Sequence, residues 1–396
     1  MSRSPHARRI MTCTVALALA GCATQAPPPV MHPTQPAAPQ PVSTAPRLPQ
    51  PTVPFAKPPG TSPLPDPYPA MSPEQARAQF VRDTAAKYGI EPARIESVLA
   101  KATKRESILT AMSRPAEAKP WRDYRPLLVT DARIAGGRKF LEQHRAKLAK
   151  VEAATGVPAE IIVAIIGVET SYGANTGKHS IVDALYTLGF YYPRSGDPTK
   201  AEREARREAF FRNELAMLFA LGKQEGVDVS SLTGSYAGAM GYGQFMPSSY
   251  LEFAVDGDGD GKRNLFTNLD DVFASIANYF IVKGGWQRGG PIAARAQVAP
   301  DALPFEPEGF EPVYTLGDLA EAGYRASAPL PPQTPATVVY LDGADGREAW
   351  LGFRNFYAIT RYNISKHYAM AVRDLADAIA GRTPAANAAA QGSTAP

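Results

Sequence analysis

One segment, "PAEIIVAIIGVETSYG" at residues 158–173, constrains the fold more than any other part of this chain of 396 residues. Every residue from Ile161 to Val168 is apolar or glycine. A helix formed here has no polar face and must be buried on all sides. Pro158 suits the first turn of such a helix, and Gly173 suits its end. The sequence therefore predicts a fold built around one buried helix.

A carboxylate, Glu169, directly follows this apolar run and falls on the last turn of the expected helix. Burial and the negative end of the helix dipole both disfavour its ionisation. We therefore expect the pKa of Glu169 to be raised, as a general acid requires. The helix alone favours a simpler alternative, a carboxylate that reaches solvent or accepts a neighbouring backbone N–H.

A glycine- and aromatic-rich segment, "GSYAGAMGYGQFMPSSY", occupies residues 234–250. Glycines let a backbone approach a ligand closely, and flat aromatic rings suit the faces of sugars. Ser235 and Gln244 can hydrogen-bond to hydroxyl or amide groups. The segment has neither a phosphate-loop lysine nor dinucleotide-binding spacing, which disfavours a nucleotide. The alternative is a loop that needs positive φ angles and contributes a few core aromatics.

An acidic loop, "DGDGDGKRNLFTNLDD" at residues 256–271, begins like an EF-hand calcium loop. Because all of its donors are oxygen atoms, the loop favours calcium over zinc, and the ion would have a structural role. We expect no organic cofactor. Thr267 stands where the bidentate glutamate is expected, so Asp270 or its competitor Asp271 would close a lengthened loop. The alternative is a solvated acidic turn. The predicted front ligands are Asp256, Asp258, Asp260 and the carbonyl of Lys262.

The N-terminus carries the pattern of an exported lipoprotein. A basic stretch precedes the run "IMTCTVALALA", which is too short to span a bilayer as a mature helix. "LAGC" then resembles a bacterial lipobox, which predicts a signal peptide at residues 1–21 and lipidation of Cys22. Ala23, directly after the cysteine, favours sorting of the lipoprotein to the outer membrane, where the protein would face the periplasm. An ordinary signal peptide cut nearby is the alternative.

The cysteine content and the net charge limit which disulfides and which classes of binding partner are expected. The only cysteines are Cys13 and Cys22, so no disulfide pair remains after cleavage. The net charge of +4 is mildly basic and suits an anionic polymer. Nucleic acid is disfavoured, because no dense Lys/Arg cluster alternates with aromatics. The sequence identifies no protein partner.

Residues 22–70 form a predicted tether, since 17 of the 38 prolines lie between Pro27 and Pro69. Helical periodicity dominates from about residue 71, and "TVVYLDGADGREAWLGF" predicts a β-hairpin. The fold class is therefore mainly α (α+β). The remaining predicted parts are a folded region at 71–382, a small β subdomain at about 290–355, a C-terminal helix at about 363–381 and a disordered tail at 383–396.

In order along the chain, four segments resemble the membrane-bound lytic murein transglycosylase B family over roughly residues 72–382. They are "GVPAEIIVAIIGVETSYG", "GSYAGAMGYGQFMPSSY", the Asp-Gly loop leading into "ANYF", and "WLGFRNFYAITRYNISKHYAMAV". The resemblance implies a lysozyme-like helical core with a flanking helical domain and a small β domain. It also implies cleavage of the β-1,4 bond between N-acetylmuramic acid (MurNAc) and N-acetylglucosamine (GlcNAc), with 1,6-anhydro-MurNAc ends, in cell-wall remodelling and turnover.

The resemblance also implies roles for individual residues. Glu169 matches the catalytic acid/base, and Ser235 matches a position that orients the substrate N-acetyl group. Asp270 matches the last calcium ligand, beside the four front ligands. Substrate-binding positions are matched by Gln244, Tyr124, Tyr362, Asn363, Tyr368, Arg206 and Arg207, with Arg194 as a rival for the arginine pair.

Two alternative functions remain open from the sequence. The first is a hydrolytic muramidase of the same fold, and the sequence alone does not exclude a second carboxylate such as Asp183. The second is a non-catalytic lipoprotein that binds calcium and peptidoglycan.

Overall fold

A computed structural model describes residues 71–113, 119–303, 306–307 and 309–382 of the chain. The predicted signal peptide, Cys22, the tether and the C-terminal tail lie outside the described residues. Within them the fold is mostly helical, with a five-stranded sheet and a two-stranded one, which confirms the predicted fold class.

Six helices precede the buried segment. The first begins at a capping box: the Ser72 hydroxyl accepts from the N–H of Gln75, whose side chain accepts from the N–H of Ser72. The six helices are α1 (Pro73–Tyr88), α2 (Pro92–Leu99), α3 (Glu106–Met112), α4 (Trp121–Leu128), α5 (Asp131–Gln143) and α6 (Arg145–Thr155).

The apolar segment and the longer helices after it form the rest of the helical part. They are α7 (Ala159–Thr170), α8 (Ile181–Phe190), α9 (Pro198–Glu225), α10 (Pro247–Phe253), α11 (Leu269–Val282), α13 (Arg354–Tyr362) and α14 (Lys366–Ile379). Helix α7 packs against α5, α6, α11 and α14, and all its residues are buried except Glu160, Val168 and Glu169. The expected all-round burial of this helix is confirmed.

Between α11 and α13 the chain forms five strands and one short helix. They are β3 (Ala293–Val298), β4 (Tyr314–Thr315), α12 (Leu316–Glu321), β5 (Tyr324–Ala326), β6 (Pro335–Gly343) and β7 (Gly346–Gly352). The strands pair as an antiparallel sheet in the order β4-β6-β7-β3-β5. Val339, Leu341 and Trp350 face the main helical core, whereas Val338 and Leu351 join a second small core beside α12. A separate two-stranded pairing joins β1 (His179–Ser180) to β2 (Thr233–Gly234).

Across the described ranges, no single helix is both long and apolar enough to cross a membrane. The pair α6 and α7 meets the length and composition requirement only together, with a bend of 115°.

Candidate active site

Glu169 lies on the last turn of α7, just before an unusual backbone turn. Ser171 and Tyr172 both have positive φ angles, of 50° and 63°, although neither is glycine. Such conformations cost free energy and are held only by surrounding contacts. The Tyr172 hydroxyl donates to the carbonyl of Arg133 at 2.6 Å, and the Thr170 hydroxyl donates to the carbonyl of Tyr242 at 3.0 Å. These contacts fix the direction in which Glu169 leaves the helix.

The carboxyl group of Glu169 is only partly exposed and has one close polar partner. The Tyr368 hydroxyl donates to Glu169 Oε1 at 2.5 Å. Burial raises the pKa of Glu169 to about 7, and the Tyr368 hydrogen bond partly opposes this rise. The expected direction of the shift is thus confirmed. Near neutral pH the group exists in both protonation states, which suits an acid that must also act as a base.

Tyrosines line the same side of the site. Burial, followed by the nearby Glu169, holds the pKa of both Tyr362 and Tyr368 well above its ordinary value. Both phenols therefore remain protonated hydrogen-bond donors. The Tyr362 hydroxyl donates to the carbonyl of Gly243 at 2.6 Å, which joins α13 to the glycine-rich segment. Tyr124 is close enough to Tyr368 to contribute to the latter's raised pKa.

The glycine-rich segment folds into a compact turn against the end of α7. Gln244 has a φ of 49°, and its amide donates to the carbonyls of Thr176 and Gly241 at 3.1 and 3.0 Å. The Ser235 hydroxyl oxygen accepts from the N–H groups of Ala237 and Ala239, at 3.3 and 3.0 Å. Its hydrogen remains available to donate to a ligand.

The other predicted substrate-binding residues are more dispersed. Asn363 directly follows Tyr362 and ends α13. Arg206 forms an ion pair with Glu202 on the exposed face of α9. Arg207 and Arg194 both lie over the ring of Tyr192, with their guanidinium carbons 5.9 and 6.0 Å from its centroid. The described contacts of these arginines do not reach Glu169, so their substrate-binding role stays a prediction.

Asp183, the possible second carboxylate, is fully engaged elsewhere. Its oxygens accept from the N–H of Thr103 at 2.9 Å and from Arg105 Nε at 2.8 Å. It also accepts from Arg105 Nη2 at 2.6 Å. These bonds tie the start of α8 to the chain before α3, which gives Asp183 a structural role.

The acidic loop brings three of the predicted calcium ligands together. Carboxylate oxygens of Asp256, Asp258 and Asp260 lie within 4.8 Å of one another. Asp270 stands outside this group, because its carboxylate pairs with Lys147 on α6. The competitor Asp271 is buried and accepts from the backbone N–H groups of Gly257 and Asn264.

Sequence reasoning missed the contacts that hold the site together. Tyr172 fills a space in which a Cβ atom on Gly136, Gly137 or Gly167 would lie within 3 Å of its ring or hydroxyl. The paired glycines inside an otherwise helical pattern were the available signal. No comparable sequence signal marks the aromatic cluster formed by Trp121, Tyr124 and His367.

A carboxyl group with a raised pKa, hydrogen-bonded to a tyrosine and placed at the end of a buried helix, is what a general acid of a glycoside-cleaving enzyme needs. A family model described as the transglycosylase SLT domain matches residues 72–377. The chain therefore belongs to the transglycosylase SLT domain family, and it is a lytic murein transglycosylase.

Individual relatives with similar sequences and structures are also named as lytic transglycosylases. The chain is 39% identical over 312 residues to membrane-bound lytic murein transglycosylase B of Escherichia coli K12, covering 76% of this chain and 82% of that protein. The catenated lytic transglycosylase SltB1 of Pseudomonas aeruginosa matches with a TM-score of 0.70 and 43% identity, covering 78% of this chain and 98% of that one.

Two further solved structures contain ligands. Escherichia coli Slt35 in complex with calcium matches with a TM-score of 0.67 and 39% identity, covering 77% of this chain and 92% of that one. Pseudomonas aeruginosa SltB3 with NAG-anhNAM-pentapeptide matches with a TM-score of 0.64 and 31% identity, covering 79% and 80%. These neighbours agree with the expected lysozyme-like core.

Proposed function

We propose that this enzyme cleaves the β-1,4 bond between MurNAc and GlcNAc in peptidoglycan glycan strands and leaves 1,6-anhydro-MurNAc ends. The observation that carries this proposal is the hydrogen-bonded pair of Glu169 and Tyr368, in which burial brings the pKa of Glu169 to about 7. The family and the SltB3 complex with a saccharide–peptide fragment support the same substrate class. Residues 71–382 would form the catalytic region.

In the first step Glu169 protonates the glycosidic oxygen, and the bond from that oxygen to C1 of MurNAc breaks. The substrate's own N-acetyl group stabilises the positive charge that develops at C1, as in substrate-assisted glycosidases. Ser235 is suited to orient that group, because its hydroxyl hydrogen can donate to the acetyl carbonyl.

In the second step the Glu169 carboxylate takes the proton from the C6 hydroxyl of the same MurNAc. The C6 oxygen bonds to C1 and closes the anhydro ring. The proton that Glu169 gave away is thereby replaced, and no water is consumed. Tyr368 would stabilise the carboxylate between the two steps, since a hydrogen bond to a charged acceptor is stronger than one to a neutral group.

A one-carboxylate route also fits the engagement of Asp183. A two-carboxylate hydrolase needs its second group free to act as a nucleophile or to activate water. Asp183 instead accepts three hydrogen bonds from Thr103 and Arg105. This favours the transglycosylase over the hydrolytic alternative.

Digestion of purified cell-wall sacculi tests the proposed reaction. Soluble fragments with anhydro ends, each lighter by one water than the hydrolytic product, are expected. Reducing ends alone would indicate a hydrolytic muramidase. Tight sedimentation of protein with sacculi, without release of fragments, would indicate a non-catalytic binder.

We also propose a structural calcium ion in the acidic loop, held by Asp256, Asp258, Asp260, the Lys262 carbonyl and Asp270. Three carboxylates within 4.8 Å repel one another unless a hard cation neutralises them. The calcium complex of Slt35 supports the choice of ion. Asp270 would exchange its ion pair with Lys147 for the cation. The ion would brace the connection between α10 and α11, next to the glycine-rich segment.

Calcium is expected to stabilise the fold without taking part in the reaction. Adding excess calcium to chelator-treated protein should raise its melting temperature by about 5 °C or more. The Asp256→Asn variant should lose this response. Its melting temperature should be the same in chelator and in calcium, and a calcium-dependent rise in the variant equal to that of the wild type would exclude this site.

Export and anchoring complete the proposal. We place the enzyme on the periplasmic side of the outer membrane, attached through lipidated Cys22. The lipobox-like sequence supports this, as does the membrane-bound Escherichia coli relative. The tether of residues 22–70 could extend on the order of 100 Å from the membrane. Cys22→Ser should shift the protein from the membrane fraction to the soluble periplasmic fraction, whereas unchanged membrane association would contradict the anchor.

A further inference from the structure

The short helix α4 brings Tyr124 to the site. Tyr124 lies at a tilt against His367, with ring centroids 5.5 Å apart and 39° between the ring planes, and Trp121 stacks against the same imidazole at 5.9 Å. His367 belongs to α14 and directly precedes Tyr368, the partner of Glu169. One face of α4 is thus fitted to the start of α14.

A salt bridge joins the same two helices further along. Arg125, next to Tyr124 in the chain, donates from Nε to Asp374 Oδ2 at 2.6 Å. The Asp374 side chain is only 8% exposed, and the Arg125 side chain is 36% exposed. Asp374 lies on the helix that also carries Tyr368. One end of α14 therefore holds the acid's partner, while its middle holds the anchor of α4.

The far end of α4 has a separate attachment. Arg133 Nη1 donates to the carbonyls of Leu127 and Leu128 at 2.9 and 2.7 Å. These are carbonyls that the last turn of a helix leaves without partners. The carbonyl of Arg133 in turn accepts from Tyr172, just beyond Glu169. Both ends of α4 are therefore attached to elements that position Glu169.

Helix α4 needs such attachments because it cannot fix its own orientation. It has eight residues and contains Pro126, which cannot donate a backbone hydrogen bond. Helices this short are marginal by themselves. Its tertiary contacts, mainly with α14 and β6, must decide where Tyr124 points.

We infer that the Arg125–Asp374 ion pair is a positioning device that sets Tyr124 against the Glu169–Tyr368 pair and thereby controls substrate binding. Arg125 and Asp374 act through Tyr124 and contact no reacting atom. An ion pair with a nearly buried carboxylate contributes little net stability compared with apolar residues, but its hydrogen-bond geometry restricts how the two helices sit against each other. The inference rests on the proposed function, because it assigns Tyr124 to the substrate cleft.

A double-mutant cycle in the full chain tests the inference. Initial rates are measured on soluble, uncrosslinked peptidoglycan strands for the wild type, Arg125→Ala, Tyr124→Ala and the double variant. Arg125→Ala should raise KM about fivefold to tenfold while kcat changes less than about twofold. In the Tyr124→Ala background, removal of Arg125 should leave KM unchanged. Arg125→Lys, which keeps the charge, should restore KM at least in part.

A second ion pair supplies the matched control for lost stability. Arg105, with a side chain 52% exposed, binds Asp183, whose side chain is 9% exposed. Arg105→Ala should lower the melting temperature to a similar degree as Arg125→Ala, yet leave KM as in the wild type.

The outcomes separate the inference from the proposed function. If the wild type releases no soluble fragments from peptidoglycan, the proposed function fails. If the wild type is active and Arg125→Ala lowers only the melting temperature, the positioning role is wrong. It is also wrong if the KM effects of Arg125→Ala and Tyr124→Ala multiply in the double variant, or if Arg105→Ala raises KM equally.

Discussion

The Glu169→Gln variant is expected to lower the rate of glycan-strand cleavage by about a thousandfold or more, because glutamine can neither give nor take the proton. The substitution keeps the shape of the side chain and can still accept from Tyr368. Rates of fragment release from sacculi, with circular dichroism to verify the fold, provide the measurement. Activity within tenfold of the wild type would remove Glu169 from the catalytic role.

The Glu169→Gln variant should also change how the melting temperature depends on pH. The pKa of Glu169 is about 7 in the folded protein, against an ordinary value of 4.5. Below 4.5 the group is protonated in both folded and unfolded states, so its ionisation costs nothing. As the pH rises from 4.5 to 7, ionisation in the unfolded state destabilises the fold, and the effect is constant above 7. The melting temperature of Glu169→Gln, relative to the wild type, should therefore be higher at pH 8 than at pH 4.

The rate of the wild-type enzyme should follow the same ionisation. Since the first step needs protonated Glu169, kcat/KM should fall as the pH rises above about 7. This alkaline limb of the pH profile belongs to the free enzyme and gives a direct measure of the group.

Tyr368→Phe is expected to move the alkaline limb of the pH–rate profile to higher pH. The Tyr368 hydroxyl stabilises the Glu169 carboxylate and so lowers the pKa of Glu169, which would otherwise be higher. Loss of the donor should raise that pKa by about one unit, because hydrogen bonds to charged groups are worth about 1.5–3 kcal/mol. The maximal rate should fall about tenfold or more, since the carboxylate formed by proton donation loses its partner.

Tyr362→Phe is the matched control for this shift. It removes a buried phenol from the same cluster, but that hydroxyl donates to the carbonyl of Gly243 and not to Glu169. Its alkaline limb should stay within about 0.3 units of the wild type, because a neutral phenol exerts little field. If Tyr368→Phe leaves the limb in place or moves it downward, the hydrogen bond does not control the acid.

The buried helix and the environment of Glu169 could be predicted because both depend on adjacent residues. The run from Ile161 to Val168 leaves a helix no exposed face, and Glu169 must then emerge at its end. The raised pKa follows from this burial alone. The grouping of Asp256, Asp258 and Asp260 could likewise be predicted, because the three aspartates occupy every second position of one short loop.

The contacts that complete the site join residues far apart in the chain and could not be derived from spacing. Tyr368 meets Glu169 only because α14 packs against α7. Asp270 pairs with Lys147 through the packing of α11 on α6. The positive φ angle of Tyr172 is unexpected for an aromatic residue, and it is stabilised by tertiary contacts with Arg133 and the nearby glycines.

Oxygen-isotope labelling tests most directly whether one carboxylate, Glu169, completes the reaction without water. Sacculi are digested by the wild-type enzyme in water enriched in oxygen-18, and the released MurNAc ends are analysed by mass spectrometry. We expect anhydro ends that carry no label, because the C6 oxygen of MurNAc closes the ring. Labelled reducing ends as the main product would show that water attacks C1, and would contradict a reaction completed by Glu169 alone.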